Sequence, residues 1–375
     1  MLAINFNIQE RDGLEERLTK ISFKLHGWLG LAAGIFFLLY GISGSLLVFR
    51  HELERYFNPE LHRLVPAAKK LPADDLYRMV LHSHPNLKKL VLHDFPRDRY
   101  DSYEFMLYKR QQKVSDNYLY YVFVNPYNGK ILKEGGYDEF SPSFLRWVYT
   151  LHYSLQLGIP GMLISGILGL VMLLSLITGT VIYRKHFWKA LRFRAGLNFK
   201  SYRTGISSLH RIIGVWALLF NIILFFTGFW MLREYFNPAM WVLPKPQANY
   251  EVPANIDRLV ALACKTIPGF VPIAVNIPTV KGADILLRGQ MPQTSNVLLK
   301  GKASGITFDA QTGEMKDKKV IDEQGLSERL EHMAYELHAG AFGGDILKWI
   351  YVLFGLTPGF LSVSGALLWL KRKKR

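Results

Sequence analysis

The chain contains one pattern of residues twice, and this duplication limits its possible folds more than any other feature. The dipeptide Leu-His opens a long apolar run at His26 and again at His210, and it precedes two further runs at His152 and His338. A duplicated unit predicts a pair of equivalent sites related by approximate two-fold symmetry. Further equivalent positions are Gly30 and Gly44 with Gly214 and Gly228, Tyr56-Phe57-Asn58-Pro59 with Tyr235-Phe236-Asn237-Pro238, and Thr178-Gly179 with Ser364-Gly365.

The 375 residues separate into four apolar runs and the polar connections between them. The runs lie at 28–48, 161–183, 212–232 and 346–370, and each reaches the ~20 residues that cross a bilayer as a helix. The net charge is +16, but the basic residues gather beside the apolar runs and form no patch for nucleic acid. The composition therefore predicts an α-helical membrane protein in a lipid bilayer, without a nucleic-acid partner.

The distribution of basic residues predicts the topology. Between residues 184 and 203 the chain has seven Lys or Arg residues and no Asp or Glu, and residues 371–375 are all basic. Short positive segments beside membrane helices stay in the cytoplasm. We therefore expect both termini and the central loop to be cytoplasmic, and the two long connections to lie outside a bacterial inner membrane. The first apolar run is too long for the core of a cleavable signal peptide.

Both long connections have the pattern of small α+β modules. The predicted elements are a helix at 73–83 with strands at 89–93, 103–109 and 118–124, and a helix at 255–266 with strands at 271–277, 284–288 and 296–300. Turn residues follow an aromatic strand at Asn125-Pro126-Tyr127-Asn128-Gly129. Residues 309–313 form a similar turn after a strand of the second connection. The single Cys264 excludes an internal disulfide, and we expect its thiol to be buried.

These elements resemble a known family. An aromatic strand followed by Asn or Asp and then Gly resembles the signature turn of PepSY domains, and the duplicated helix–module–helix pattern with its Leu-His pairs resembles the PepSY-associated transmembrane family over almost the whole chain. The resemblance implies four transmembrane helices as two parallel helix–PepSY–helix repeats, with two extracytoplasmic α+β PepSY-like modules. The predicted segments are the cytoplasmic N-terminus 1–25, TM1 26–50, module one 51–145, an interfacial segment plus TM2 146–184, the basic cytoplasmic loop 185–207, TM3 208–232, module two 233–335, an interfacial segment plus TM4 336–370, and the cytoplasmic tail 371–375.

Some members of this family are haem-containing ferric-siderophore reductases, so the resemblance implies a haem cofactor. A lone histidine at a helix end is more often an interfacial residue or part of an ion relay, but a symmetry-related pair can supply both axial positions of one haem. We predict two b-type haems. Their iron ligands are His26 with His210 on the inner side and His152 with His338 on the outer side, Arg211 is a candidate propionate partner or an interfacial anchor, and His51 and His186 are alternative ligands.

Other residues leave alternatives open. The many glycines of the apolar runs favour either space for a haem or close packing between helices. Four further histidines are expected to be solvated surface residues, with a metal or substrate role as the alternative; they are His62, His82, His84 and His93.

The implied function is an inner-membrane di-haem b reductase that passes electrons to periplasmic ferric siderophores and releases Fe(II) for uptake. The electrons would come from a membrane quinol or a cytoplasmic flavoprotein, because the chain has no nucleotide-binding motif of its own. The absence of a Gly-x-Ser-x-Gly elbow sets aside a serine hydrolase. The alternative is a non-enzymatic, membrane-anchored PepSY protein that binds a peptidase or an envelope partner. An iron or siderophore permease is less favoured, because the apolar runs have few carboxylates.

Overall fold

The structure, a computed structural model, describes residues 8–96, 98–141, 143–291 and 293–373. They divide into two compact units. The helical unit contains the chain up to Val48, Ile164–Arg233 and the chain from Gly344. The sheet unit contains Phe49–Leu163 and Glu234–Gly343. Each of the four predicted histidine ligands has its predicted partner in the same unit.

The α-helices are, in chain order, α1 (Ile8–Val48), α2 (Arg50–Phe57), α3 (Ala73–Ser83), α4 (Phe144–Ser154), α5 (Gly158–Tyr183), α6 (Phe187–Leu191), α7 (Tyr202–Trp216), α8 (Leu218–Leu232), α9 (Ile256–Thr266), α10 (Leu326–Ala339), α11 (Asp345–Gly355) and α12 (Thr357–Lys373). The strands are β1 (Leu87–Asp94), β2 (Tyr103–Lys109), β3 (Leu119–Val124), β4 (Ile131–Gly136), β5 (Val271–Pro278), β6 (Ile285–Gln290), β7 (Ser304–Phe308) and β8 (Met315–Lys319).

Four helical spans are long and apolar enough to cross a membrane: Gly13–Val48, Gly158–Leu191, Leu218–Phe236 and Asp345–Leu370. Each includes most of one predicted apolar run. The helix of the first span begins well before the predicted TM1, since α1 is continuous from Ile8. The predicted tail belongs to α12 as far as Lys373, and residues 1–7 and 374–375 lie outside the described residues.

Small residues bring the membrane helices close together. A Cβ atom added at Gly41 of α1 would lie 2.9 Å from the carbonyl oxygen of Gly355. One added at Gly359 of α12 would lie 2.9 Å from Leu38 Cδ1. Such close approach is the usual role of glycine between membrane helices. These glycines therefore serve helix packing, one of the two roles that the sequence left open.

In the sheet unit, the strands of both predicted modules join one antiparallel sheet. Its order is β4-β3-β2-β1-β5-β6-β7-β8, so the first strands of the two modules pair at the centre. At this seam Leu90 lies opposite Ile277 and Leu92 lies opposite Val275. The sheet is thus continuous across the duplication, where the sequence predicted two modules without indicating that they join.

The main core of the sheet unit lies between the sheet and the helices α3 and α9. The two helices cap each other. Asp257 accepts hydrogen bonds from the backbone N–H groups of Ala73 and Asp74, at 3.0 and 2.9 Å. Asp74 in turn accepts one from the N–H of Ile256, at 2.9 Å. Each carboxylate satisfies N–H groups that the first turn of a helix leaves without partners, and so stabilises the pair.

Most predicted elements of the sheet unit form within a few residues of their expected ends, but two predictions were wrong. Residues 296–300 are not a strand. Val297–Leu299 forms a 3₁₀ turn, since the side chain of Asn296 accepts a hydrogen bond from the N–H of Leu298. Cys264 is exposed, because α9 turns Leu259 and Ala263 into the core instead. The polar edge strands β4 and β8 had no apolar pattern to predict them.

Candidate functional site

The inner histidine pair lies in the helical unit. His26 is on α1 and His210 is on α7, and their ring centroids are 6.3 Å apart with ring planes at 84°. The two copies of the Leu-His pattern are 184 residues apart in the sequence, and they place two imidazoles side by side. The packing of α1 and α7 thus brings together the two residues that the sequence predicted as one ligand pair.

Hydroxyl groups fix the orientation of both inner rings. His26 Nδ1 lies 3.0 Å from the carbonyl oxygen of Ser175 and 3.3 Å from Thr178 Oγ1. His210 Nδ1 lies 2.8 Å from Ser364 Oγ. The hydroxyls of Thr178 and Ser364 already donate to backbone carbonyls one turn earlier, so toward the rings they accept. The carbonyl oxygen of Ser175 can only accept, so His26 donates from Nδ1 and keeps the Nε2 lone pair, which is the tautomer that binds a metal through Nε2. The contact with Ser364 allows the same tautomer at His210.

A glycine follows each of these hydroxyl residues, and Gly179 makes room for the His26 ring, while Gly365 lies at ordinary van der Waals distance from the His210 ring. A Cβ atom at Gly179 would lie 3.1 Å from His26 Cε1, and one at Gly365 would lie 3.5 Å from His210 Cε1. One turn beyond His26, a Cβ at Gly30 would meet no described atom within 4 Å. The Thr-Gly and Ser-Gly dipeptides of the repeat are thus the supports of the inner pair, with open space beside it.

The outer histidine pair lies in the sheet unit. His152 is on α4 and His338 is on α10, and their ring centroids are 6.0 Å apart with ring planes at 53°. Burial, together with the nearby His338, lowers the pKa of His152 to about 3. The ring is consequently neutral at physiological pH, as a metal ligand must be.

A repeated tyrosine accompanies each outer histidine. Tyr149 and Tyr335 precede His152 and His338 by three residues, in the matching tetrapeptides Tyr-Thr-Leu-His and Tyr-Glu-Leu-His. The guanidinium of Arg50 lies 5.7 Å from the centroid of the Tyr149 ring. This longer motif was missed at the level of the sequence, although its constant spacing was visible there.

An ion network holds α4 in place. Arg146 Nη1 donates to both carboxylate oxygens of Glu54, at 3.0 and 2.9 Å, and Nη2 donates to Glu104 at 2.7 Å. The side chains are 10%, 12% and 17% exposed, respectively. One turn later, Thr150 donates to the carbonyl oxygen of Tyr137 at 2.8 Å. These contacts join α4, which carries His152, to α2 and to the sheet.

The secondary candidates take other positions. Arg211 is exposed and its guanidinium lies 5.6 Å from the centroid of the Tyr183 ring. His186 stacks on the same tyrosine, at 5.6 Å. His51 is an exposed residue of α2. In the structure, neither His51 nor His186 is part of the two histidine pairs.

All four histidines expected to be solvated contact carboxylates. The prediction is confirmed only for His82, whose side chain is 67% exposed and lies beside Glu251. It was wrong for the other three, whose side chains are between 11% and 19% exposed. The contacts are His62 with Asp101, His84 with Glu134, and His93 with Asp94 and Glu104.

The group of His93, Asp94 and Glu104 has the residue types of a metal site, with ligand atoms within 4.8 Å of one another. Two cations already meet its carboxylates, however. Arg146 lies 2.7 Å from Glu104, and Lys302 lies 3.3 Å from Asp94. Burial alone would lower the pKa of His93, but Glu104 and Asp94 raise it, which favours a third positive charge. Together with Glu54, which also pairs with Arg146, the group has three carboxylates and three cationic side chains and is an ion network.

The fold and the two histidine pairs define a multi-pass membrane protein with a sheet-rich soluble part. The profile of the PepSY-associated TM region family matches residues 23–372. The chain therefore belongs to this family, as the resemblance predicted. It is also 26% identical over 257 residues to the uncharacterized protein PA4219 of Pseudomonas aeruginosa. That match covers 60% of this chain and 62% of the relative, so the chain spans less than two thirds of that protein.

Proposed function

We propose that this protein is an inner-membrane reductase that holds two b-type haems and passes electrons outward to ferric siderophores. The proposal rests on two contacts, each between histidines at equivalent positions of the repeat. The ring centroids are 6.3 Å apart for His26 and His210, and 6.0 Å apart for His152 and His338. The two imidazoles of each pair would be the residues that hold one haem iron. Haem bound to two imidazoles supplies one-electron transfer.

The surrounding residues fit such a ligand role. Among the described residues, no hydrogen bond reaches Nε2 of His26 or His210, while Nδ1 of each is held by a neighbouring helix. Ligating histidines in proteins usually donate their other N–H in this way, which orients the ring and raises its basicity. The open face beside Gly30 provides space for a flat group.

The direction of electron flow follows from the proposed topology. The basic central loop faces the cytoplasm, so the pair on α1 and α7 is the inner one and the pair on α4 and α10 is the outer one. A quinol or a cytoplasmic flavoprotein gives up electrons, one for each Fe(III) that becomes Fe(II) in the chelate. A quinol releases two protons as it loses two electrons, and it thus serves two ferric ions.

The test is spectroscopic. The purified full chain should show a sharp Soret band and split α/β bands after dithionite, with two haems per chain in a pyridine haemochrome assay. Replacement of His26 and His210 by Ala, or of His152 and His338 by Ala, should each remove about half of the haem. His82→Ala is the matched control, since that side chain is exposed and forms no part of either pair.

Full haem content in the variant that lacks all four histidines would overturn the ligand assignment. A chain without haem when produced with an adequate haem supply would overturn the reductase and leave the non-enzymatic PepSY protein. Reoxidation of the dithionite-reduced protein by ferric siderophores tests the acceptor. A haem-loaded protein that stays reduced against a panel of these chelates would contradict the proposed substrate class.

A further inference from the structure

One buried arginine of the sheet unit has no partner for its charge. Arg110 follows directly after β2 and is 9% exposed. Among the described residues, no hydrogen bond or ion pair involves its guanidinium, and its Nε is buried without an acceptor. Arg146, by contrast, binds the carboxylates of Glu54 and Glu104 through its terminal nitrogens. A buried, unpaired cation is costly and is retained where a ligand supplies the missing acceptor.

Arg110 lines two neighbouring cavities of about 480 and 320 Å³. The larger one has the volume of a small-molecule site. It is also lined by Asn117, Trp147 and Gln156, and most of its lining is polar. All of these residues belong to the sheet unit. The unpaired charge therefore borders a space that a ligand can enter.

A second lining residue also lacks a partner. The side-chain oxygen of Asn117 is buried without a donor, while its amide nitrogen donates to Gln156 Oε1 at 2.7 Å. Gln156 in turn donates to the carbonyl oxygen of Trp147 at 2.6 Å, so this orientation of the Asn117 amide is part of a chain of hydrogen bonds. The cavity thus borders one cationic side chain that no described residue neutralises, next to a chain of hydrogen bonds that is already formed.

One lining residue of the cavity, Gln156, has a strained backbone and follows four residues after His152 in the sequence. Leu155 and Gln156 have φ angles of 52° and 61°, in the left-handed region that such side chains rarely adopt. Strain of this kind persists where the surrounding structure requires it, commonly at ligand sites. Both residues follow α4 directly, and Trp147 and His152 lie on that same helix. A ligand in the cavity would therefore contact the helix that carries His152.

We propose that this cavity, the Arg110 cleft, binds a carboxylate-bearing ferric chelate, an inference that rests on the proposed function. The planar guanidinium presents paired donors that match a carboxylate. The lining charges of Lys109 and Arg110 are balanced by Asp116 and Asp138. Asp116 Oδ2 accepts the N–H groups of Gln112 and Lys113, and among the described residues no ion pair joins Asp116 to Arg110.

The experiment measures binding without electron transfer. Gallium(III) citrate, a redox-inert analogue of a ferric carboxylate chelate, is titrated into the purified full chain, with calorimetry and tryptophan fluorescence as readouts. Saturable binding is expected, and Arg110→Met should weaken it by about 10- to 100-fold, since bonds to a charged group are lost. Arg258→Met removes an equal charge from an exposed site of the same unit and should leave the affinity unchanged.

A second variant and a stability measurement separate binding from folding. Asn117→Asp adds a negative charge to the cleft and should also weaken binding. Arg110→Met should not lower the melting temperature, because an unpaired buried cation contributes desolvation cost and no ion pair. The gallium(III) complex of a cationic trihydroxamate, which has no carboxylate, should bind independently of Arg110.

The proposal fails if the wild-type chain shows no saturable binding of gallium(III) citrate. It also fails if Arg110→Met binds as tightly as the wild type, or if Arg258→Met weakens binding equally. The haem spectrum distinguishes the two proposals. Normal haem content without gallium citrate binding refutes the Arg110 cleft alone, and gallium citrate binding by a chain that takes up no haem refutes the reductase alone.

Discussion

Replacement of Arg146 tests how the outer site is held. The change Arg146→Met removes the only cation that contacts both Glu54 and Glu104 within the described part of the chain. All three side chains are at least 83% buried, since their exposures are 10%, 12% and 17%. Methionine keeps most of the apolar stem, so the lost interactions are chiefly those of the guanidinium. Two carboxylates then remain buried without their main counter-ion.

Removal of one partner from a buried ion pair costs about 3–5 kcal/mol. In a unit of this size, each kcal/mol lowers the melting temperature by about 2–4 °C. We therefore expect thermal unfolding of the purified protein, followed by the circular dichroism of the sheet, to shift down by about 6–20 °C. Lys316→Met breaks an exposed ion pair of the same unit, where the side chain is 46% exposed, and should shift it by less than about 4 °C.

The effect should depend on pH. Burial alone would raise the pKa of Glu104, but Arg146 and His93 hold it well below its usual range. A lowered carboxyl pKa stabilises the fold above the unfolded value of about 4.3, and this contribution is lost as the pH falls through the folded pKa. Without Arg146, Glu104 takes up a proton more readily. The difference between wild type and Arg146→Met should therefore be smaller at pH 4 than at pH 7.

The same substitution should disturb the outer pair, because α4 carries His152. Haem retained by His152 and His338 should decrease while the inner site keeps its spectrum. The triple variant that also carries Glu54→Gln and Glu104→Gln removes the buried charges together and should recover much of the lost stability. The smallest decrease expected for Arg146→Met at pH 7 is ~6 °C. A melting temperature within about 2 °C of the wild type would therefore refute the reasoning.

Two further predictions concern the inner pair and the topology. Gly179→Ala should alter the low-spin electron paramagnetic resonance signal of the inner haem, because the new Cβ lies 3.1 Å from His26 Cε1, whereas Gly365→Ala, at 3.5 Å from His210 Cε1, should leave it unchanged. The opposite result would contradict the role of these glycines as supports of the rings. Alkaline phosphatase fused after Lys113 or Lys302 should be active and fused after Arg194 inactive; the reverse pattern would invert the proposed electron flow.

The histidine pairs could be predicted from the sequence because the duplication is a local, countable signal. Equal spacing from His26 to Gly30 and from His210 to Gly214 reveals equivalent helices without knowledge of their packing. The supports of the rings were visible only as small dipeptides. That Thr178 accepts from His26 depends on how two helices meet, which residue order alone does not determine.

The continuous sheet could not be predicted for a similar reason. Pairing of Leu90 with Ile277 is a contact between residues far apart in sequence, and the apolar alternation of each strand is satisfied equally by two separate sheets. The unpaired charge of Arg110 had no sequence signal either, since an arginine after a strand is ordinarily a solvated residue. Both features arise from the arrangement of elements in three dimensions.

The two inner histidines differ in how many groups hold them, and this difference gives the last prediction. Ser364 supplies the hydrogen-bond partner of His210 Nδ1 at 2.8 Å, whereas His26 Nδ1 has the carbonyl oxygen of Ser175 at 3.0 Å as well as Thr178 at 3.3 Å. Ser364→Ala should therefore weaken haem binding at the inner site by about 10- to 100-fold. Thr178→Val should have a much smaller effect, because the backbone carbonyl remains.

Haem titration of the apoprotein, in a variant whose outer histidines are both Ala, isolates the inner site for this measurement. Ser364→Thr retains a hydroxyl and should restore most of the affinity, which a purely steric role of Ser364 would not predict. Equal losses in Ser364→Ala and Thr178→Val would show that the hydroxyls act in packing and do not orient the imidazoles. The two copies are expected to differ although both place a hydroxyl beside the histidine, at Thr178 and at Ser364. Among the described residues, a backbone carbonyl, that of Ser175, bonds to His26 but none bonds to His210.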